Sequence, residues 1–114
     1  AYKNQCSLCR LKHTELLDAA HIIPDGEDGG EPVVVNGLSL CKIHHAAFDN
    51  NILGITPDYL VQVRTDVLHE IDGPMLKYGI QSLNNSKVIL PNQKHDWPAQ
   101  ERLDVRYNRF LNAM

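Results

Sequence analysis

The chain has 114 residues, 43% hydrophobic and 22% charged, with a formal net charge of −3. That length suits a single domain with a small core. No apolar run approaches the ~20 residues of a membrane span and no signal-peptide pattern opens the chain, so a cytoplasmic protein with no membrane partner is expected. The net charge does not advertise nucleic-acid binding, but its distribution is uneven. Asp18, Asp25, Glu27, Asp28, Glu31 and Asp49 crowd one stretch, where a divalent cation could offset several of them, and the basic residues cluster elsewhere. The sequence opens at Ala1 without an initiator Met and reaches Cys6 almost at once, which suggests a fragment cut from a longer protein or a processed product, so that a part selecting the target could be missing.

In chain order, residues 2–12 read as a knuckle and turn carrying Cys6-x-x-Cys9. Residues 15–23 are long enough for a strand, which Pro24 ends. Residues 25–32 are a loop by composition, rich in Gly and turn-forming acids. Val33-Val34-Val35 then leads to Asn36-Gly37, a hairpin-type turn signal, and Leu38-Ser39-Leu40 alternates as a strand that delivers Cys41. From Lys42 to about Asp49 the residues Ile43, Ala46, Ala47 and Phe48 suit a short helix closed by Asn50-Asn51.

Cys41-x-x-His44 repeats the spacing of Cys6-x-x-Cys9, and together the two pairs use every cysteine in the chain. Tetrahedral zinc takes thiolate and imidazole ligands, and a two-residue spacer lets paired ligands curl around one ion, so Cys6, Cys9, Cys41 and His44 read as a structural Cys3His zinc site. Lone cysteines would be better read as small buried hydrophobes, but the paired spacing favours the metal. Disulfides fit worse, because three cysteines leave one thiol stranded. A zinc staple would contribute substantially to so small a core.

The remainder is less informative. Residues 59–63 alternate like a strand, residues 87–90 form a shorter one stopped by Pro91, and Asp96 can cap a terminal helix in which Leu103, Tyr107, Phe110 and Leu111 repeat at helical spacing. Arg102, Arg106 and Arg109 share a second face of that helix. They could follow a phosphate backbone, although a solvated charged face is the simpler reading. His13, His69 and His95 lack partners at ligand spacing, and Trp97 and the tyrosines form no stacking platform.

Residues 20–24 (Ala-His-Ile-Ile-Pro), the acidic Gly-Gly loop, residues 36–41 (Asn-Gly-Leu-Ser-Leu-Cys) and residues 44–49 (His-His-Ala-Ala-Phe-Asp) together resemble the HNH nuclease family. The resemblance rests on the ordered spacing of His21, Asn36 and His45 and covers residues 6–49. More weakly, Gly54-Ile55-Thr56 and the tail from Pro91 to Leu111 look similar to the C-terminal nuclease domains of modification-dependent bacterial restriction enzymes. It implies an α+β domain of the ββα-metal (His-Me finger) fold. The knuckle and ββα core would occupy about 6–51, and strands and a terminal helix 52–114.

The function implied is metal-dependent hydrolysis of DNA phosphodiesters, probed most naturally on duplex DNA, leaving a 5′-phosphate and a 3′-hydroxyl, as the catalytic domain of a restriction enzyme. A homodimer would allow both strands to be cut. His21 is the candidate base, since an imidazole near its ordinary pKa can take a proton at neutral pH; alone it would read as a hydrogen-bonded strand histidine. Asn36 would orient the segment that bears His21, and its sequence explains it equally well as a turn residue. His45 is the candidate ligand of a catalytic ion, and Asp49 lies one helical turn on, where it could share the ion or be bonded within the turn. Carboxylate and water suit Mg2+, while the imidazole also admits Mn2+ or another transition metal.

One residue departs from the family pattern. Many HNH nucleases carry an Asp or His ligand just before the base, where this chain has Ala20. Asp18, two residues earlier and on the same side of a strand, is the candidate replacement. The rival reading is a zinc-stabilised nucleic-acid-binding module that has lost catalysis, which Ala20 and the net negative charge favour and which His21, Asn36 and His45 oppose.

Overall fold

The computed structural model describes Tyr2 and residues 4–114. Its first unit is an antiparallel pair, β1 (Leu17–His21) and β2 (Gly37–Cys41), registered so that Leu17 faces Cys41 and His21 faces Gly37. Helix α1 (Lys42–Asp49) follows β2 without a break. The Cys41 sulfur caps it by accepting from the His44 N–H at 3.5 Å. At the other end Asn50 donates from its side chain to Ala46 O at 2.7 Å, and Asn51 takes a left-handed conformation (φ 56°) that Asn tolerates well. The buried positions His44, Ala47 and Phe48, at i, i+3 and i+4, form the face that α1 lays on the strands. The strand, strand and helix expected from the sequence are therefore present.

The link between β1 and β2 differs from the expected hairpin turn. Asn36 is fully buried at the end of a 3-10 turn over Val34–Asn36, and Gly37 already belongs to β2. The first strand is also shorter than residues 15–23. Thr14–Leu16 form a 3-10 turn, and Ile22 and Ile23 leave the ladder to bond Asn36 instead, through its backbone oxygen at 2.9 Å and its side-chain oxygen at 2.9 Å.

A second antiparallel pair, β3 (Leu53–Ile55) and β4 (Val61–Val63), packs behind α1. Two short helices, α2 (Thr65–Leu68) and α3 (Pro74–Gly79), have too few turns to show periodicity in the sequence. Residues 87–90 form no strand. The Val88 N–H donates to Tyr59 O while the next, of Ile89, donates to Ser7 O, so the segment divides its bonds between two neighbours and builds no ladder. Trp97 anchors the tail, donating to Pro91 O at 2.7 Å and meeting Tyr59 edge-on.

The last helix, α4 (Gln100–Asn112), starts from Ala99 without a side-chain cap, and Asp96 instead closes a 3-10 turn over Lys94–Asp96. Its buried face is Leu103, Arg106 and Phe110, with Arg106 inside rather than on the expected solvated face, Tyr107 half-buried and Leu111 exposed. Phe48, Phe110, Ile22, Leu40, Leu53 and Leu103 lie at the centre of the core. No helix among the described residues is long and apolar enough to cross a membrane.

Helix α4 approaches β3 closely because Gly54 has no side chain. A Cβ there would stand 2.6 Å from Phe110 Cγ and 2.8 Å from its Cδ2. Gly54→Ala should therefore displace a fully buried ring and lower the unfolding free energy by about 1–3 kcal/mol, as read from urea denaturation.

Candidate active site

Two centres lie at opposite ends of α1's first turns. The first comprises Cys6, Cys9, Cys41 and His44, the one group of metal-capable side chains among the described residues whose ligand atoms all fall within 4.8 Å of one another. The knuckle places Cys6 and Cys9, with Arg10 at φ 67° and its N–H on Cys6 O, while β2 and α1 deliver the other pair. His44 Nδ1 is 3.3 Å from the Cys41 sulfur and 3.6 Å from that of Cys6. Ligands about 2.0 and 2.3 Å from a tetrahedral ion stand roughly 3.5 Å apart, so the set fits a zinc knuckle. The other ring nitrogen, Nε2, donates to Gly79 O at 2.6 Å, which leaves Nδ1 to face the sulfurs.

The electrostatics of this group suit deprotonated sulfur. Burial pushes the Cys6 thiol up, but hydrogen bonds from His44 and from backbone N–H groups bring it down to about 6. Burial of its sulfur is the main reason that the Cys9 thiol rises to about 12, helped by the neighbouring Cys6 charge, although Cys9 is exposed as a residue. Three crowded sulfurs cannot all carry charge unaided. A cation among them removes that conflict.

The second centre is a cleft of about 380 Å3 lined by Ala19, His21, Pro24, Asp25, His45, Asp49 and Arg106. His21 stands at the end of β1 and its ring makes no hydrogen bond among the described residues. A broader depression of about 560 Å3 on the outer face of the strand pair shares Ala19 and His21 and is otherwise largely apolar. Asn36 holds the chain just beyond His21. Its Oδ1 accepts from Ile23 N–H at 2.9 Å, and its Nδ2 donates to Ile23 O at 3.0 Å and to Glu31 O at 3.1 Å.

His45 has a carboxylate at each ring nitrogen: Asp18 Oδ2 is 2.9 Å from Nδ1, and Asp49 Oδ2 is 3.1 Å from Nε2. Lys42 holds the other oxygen of Asp18 at 2.8 Å. Hydrogen bonds from His45 and then from Lys42 keep the Asp18 carboxyl below its ordinary range. Two neighbouring ligands of an octahedral ion at about 2.1 Å stand about 3 Å apart, so His45 Nε2 and Asp49 fit one edge of a divalent site. Asp18, at the opposite nitrogen, is not placed to share that edge as the sequence suggested.

The three arginines of α4 are all committed to acceptors within the chain. Arg102 pairs with Glu31 at 3.1 Å and Arg109 with Glu27 at 2.6 Å. Arg106 is buried, donating to Ile22 O at 2.6 Å, to Phe48 O at 3.0 Å and to Asp49 Oδ1 at 3.4 Å. Arg106 thus faces inward, away from any phosphate track along the outside of α4. It and Asp25 line the cleft, and sequence reasoning assigned neither of them to it. For Asp25 the available signal was its position four residues after His21, within the acidic stretch already associated with a cation.

Residues 6–56, a little under half of the chain, match the profile of the HNH endonuclease family, in keeping with the motif resemblance. Among solved structures the chain is similar to one described as a modification-dependent TagI restriction endonuclease, with a TM-score of 0.62 at 23% identity, over 95% of this chain and 34% of that one. The chain thus corresponds to about a third of that protein's length. No curated protein matches it significantly.

The buried Asn36 bonds carry a measurable load. Asn36→Ala leaves the Ile23 N–H and C=O without partners and should cost about 3 kcal/mol of stability, whereas Asn36→Asp keeps the acceptor but sets a buried carboxylate oxygen against the Ile23 and Glu31 carbonyls and should cost at least as much. Chemical denaturation of the two variants checks the ranking.

Proposed function

We propose that this chain, an HNH-type domain over residues 6–56, is a divalent-metal-dependent endonuclease that hydrolyses DNA phosphodiesters, the catalytic part of a restriction enzyme acting on duplex DNA. The observation that carries this reading is the cleft that an unpaired imidazole, His21, shares with the His45–Asp49 pair. The structural likeness to a restriction endonuclease supports the biological setting, and modified DNA is the substrate class it suggests.

In this reading His21 accepts a proton from the attacking water as the water oxygen bonds to phosphorus. The bond from phosphorus to the 3′ oxygen breaks, and that oxygen leaves as a 3′-hydroxyl once protonated, with a 5′-phosphate on the other product. A divalent cation held by His45 and Asp49 would stabilise negative charge on the phosphoryl and leaving oxygens. Asn36 keeps the backbone after His21 in place, and Arg106 fixes both the His21–Ile22 carbonyls and the Asp49 carboxylate, so base and ligands hold a constant relation. Cys6, Cys9, Cys41 and His44 hold a structural zinc, since a closed Cys3His set leaves no open position for chemistry.

Purified protein incubated with supercoiled plasmid and Mn2+ or Mg2+ should nick it, and EDTA or His21→Ala should abolish the cut. Linear product at early times would mark a dimer cutting both strands. Metal analysis should give one tightly held zinc plus one chelator-labile ion that His45→Ala removes. An intact, zinc-loaded protein that holds no second ion and cuts with no metal would instead be the non-catalytic binding module.

A further inference from the structure

His45 presents a problem in proton bookkeeping that its neighbours resolve. A neutral imidazole has one N–H and one lone pair, yet both nitrogens of His45 face carboxylate oxygens, Asp18 at 2.9 Å and Asp49 at 3.1 Å. With the proton on Nδ1, Asp18 receives a hydrogen bond and the lone pair of Nε2 points to the edge shared with Asp49. With the proton on Nε2, the ring can no longer donate to Asp18, its one hydrogen-bond partner among the described residues, and the nitrogen that would hold a cation is closed. The choice of tautomer therefore decides whether that edge can take a metal.

We propose that Asp18 is a positioning residue, whose carboxylate accepts the Nδ1–H of His45 and so turns the Nε2 lone pair towards the cation edge shared with Asp49. This rests on the reading of that edge as the nuclease's metal site. Three observations carry it. Asp18 is nearer to His45 than Asp49 is. Its second oxygen is fixed at 2.8 Å by Lys42, from the first turn of the same helix, so the carboxylate cannot swing freely away. Asp18 also lies three residues before His21 on the same strand, paired with Leu40, which ties the candidate base and the orientation of the candidate ligand to one rigid element.

Ala20 is fully buried against the core, so a carboxylate at that position would not have the solvent-facing setting Asp18 enjoys. The acid has not simply moved two residues to ligate the ion. It acts through the histidine, as outer carboxylates commonly do at metal sites.

The test uses the zinc-loaded, 15N-labelled protein and two readouts. In long-range 1H–15N spectra at pH 9 without a second ion, His45 should carry its proton on Nδ1. Asp18→Asn and Asp18→Ala, with zinc content unchanged, should move the proton to Nε2, and titration with Mn2+ alone should show affinity reduced about 10- to 100-fold. A wild-type ring protonated on Nε2 or on both nitrogens overturns the proposal, as does an unchanged tautomer in both variants. A fall in Mn2+ affinity with the tautomer unchanged also overturns it and makes Asp18 a direct ligand. Plasmid cleavage is scored separately: a protein that shows the tautomer and Mn2+ effects yet cuts nothing retains this inference and loses the nuclease reading.

Discussion

The structure is organised around one buried cation, the guanidinium of Arg106. It stacks on the Phe48 ring, 4.0 Å from the centroid, and reaches backbone carbonyls at the end of β1 and the end of α1 as well as the Asp49 carboxylate. Removing such a charge from water costs several kcal/mol unless its donors are met, and here the acceptors come from two separate parts of the chain, which Arg106 joins to a third, α4. Those parts can approach only in the arrangement that satisfies the guanidinium. The same bonds fix His21 relative to Asp49, so packing and the geometry of the candidate site have a common cause.

The Cys3His centre works on the other end of the same helix. Cys41 ends β2, caps α1 and supplies a ligand, while His44 in the first turn is held by the carbonyl of Gly79. Through that carbonyl the region after α3 is tied to the knuckle. A short helix fastened at its start by the Cys41–His44 cluster and at its end by Arg106 has little freedom to rotate. His45, lying between the two fastenings, inherits that rigidity, which is what the proposed ion site would require.

The sequence revealed features whose chemistry is local. Cys6, Cys9, Cys41 and His44 announce themselves by spacing, α1 by its apolar positions, and His21, Asn36 and His45 by their order. It misled where an outcome depends on distant partners. Asn36-Gly37 has the composition of a tight turn, but burial of Asn36 against the Ile23 backbone is a tertiary fact. Arg106 falls on an arginine stripe that looks solvated, and only the carbonyls of Ile22 and Phe48, far away in sequence, draw it inside. Asp18 was legible as a relevant acid, but the sequence does not tell which ring nitrogen of His45 it meets. The short helices α2 and α3 and the three-residue strand β3 were too brief to carry a period.

The close approach of Phe110 to Gly54, together with Arg106 in the cleft, bears on how such a domain can be inherited. The family-matched segment ends at residue 56, yet α4 supplies a wall of the cleft and a large share of the core beneath it. A recombination event that carried the motif alone to a new host gene would leave the tail behind, and with it the Arg106 clamp on the ends of β1 and α1. The exposed stretch between α2 and α3, where Ile71 is wholly solvent-facing, has no such obligation. Lineages should therefore vary in length there while the distance in space between motif and tail stays fixed.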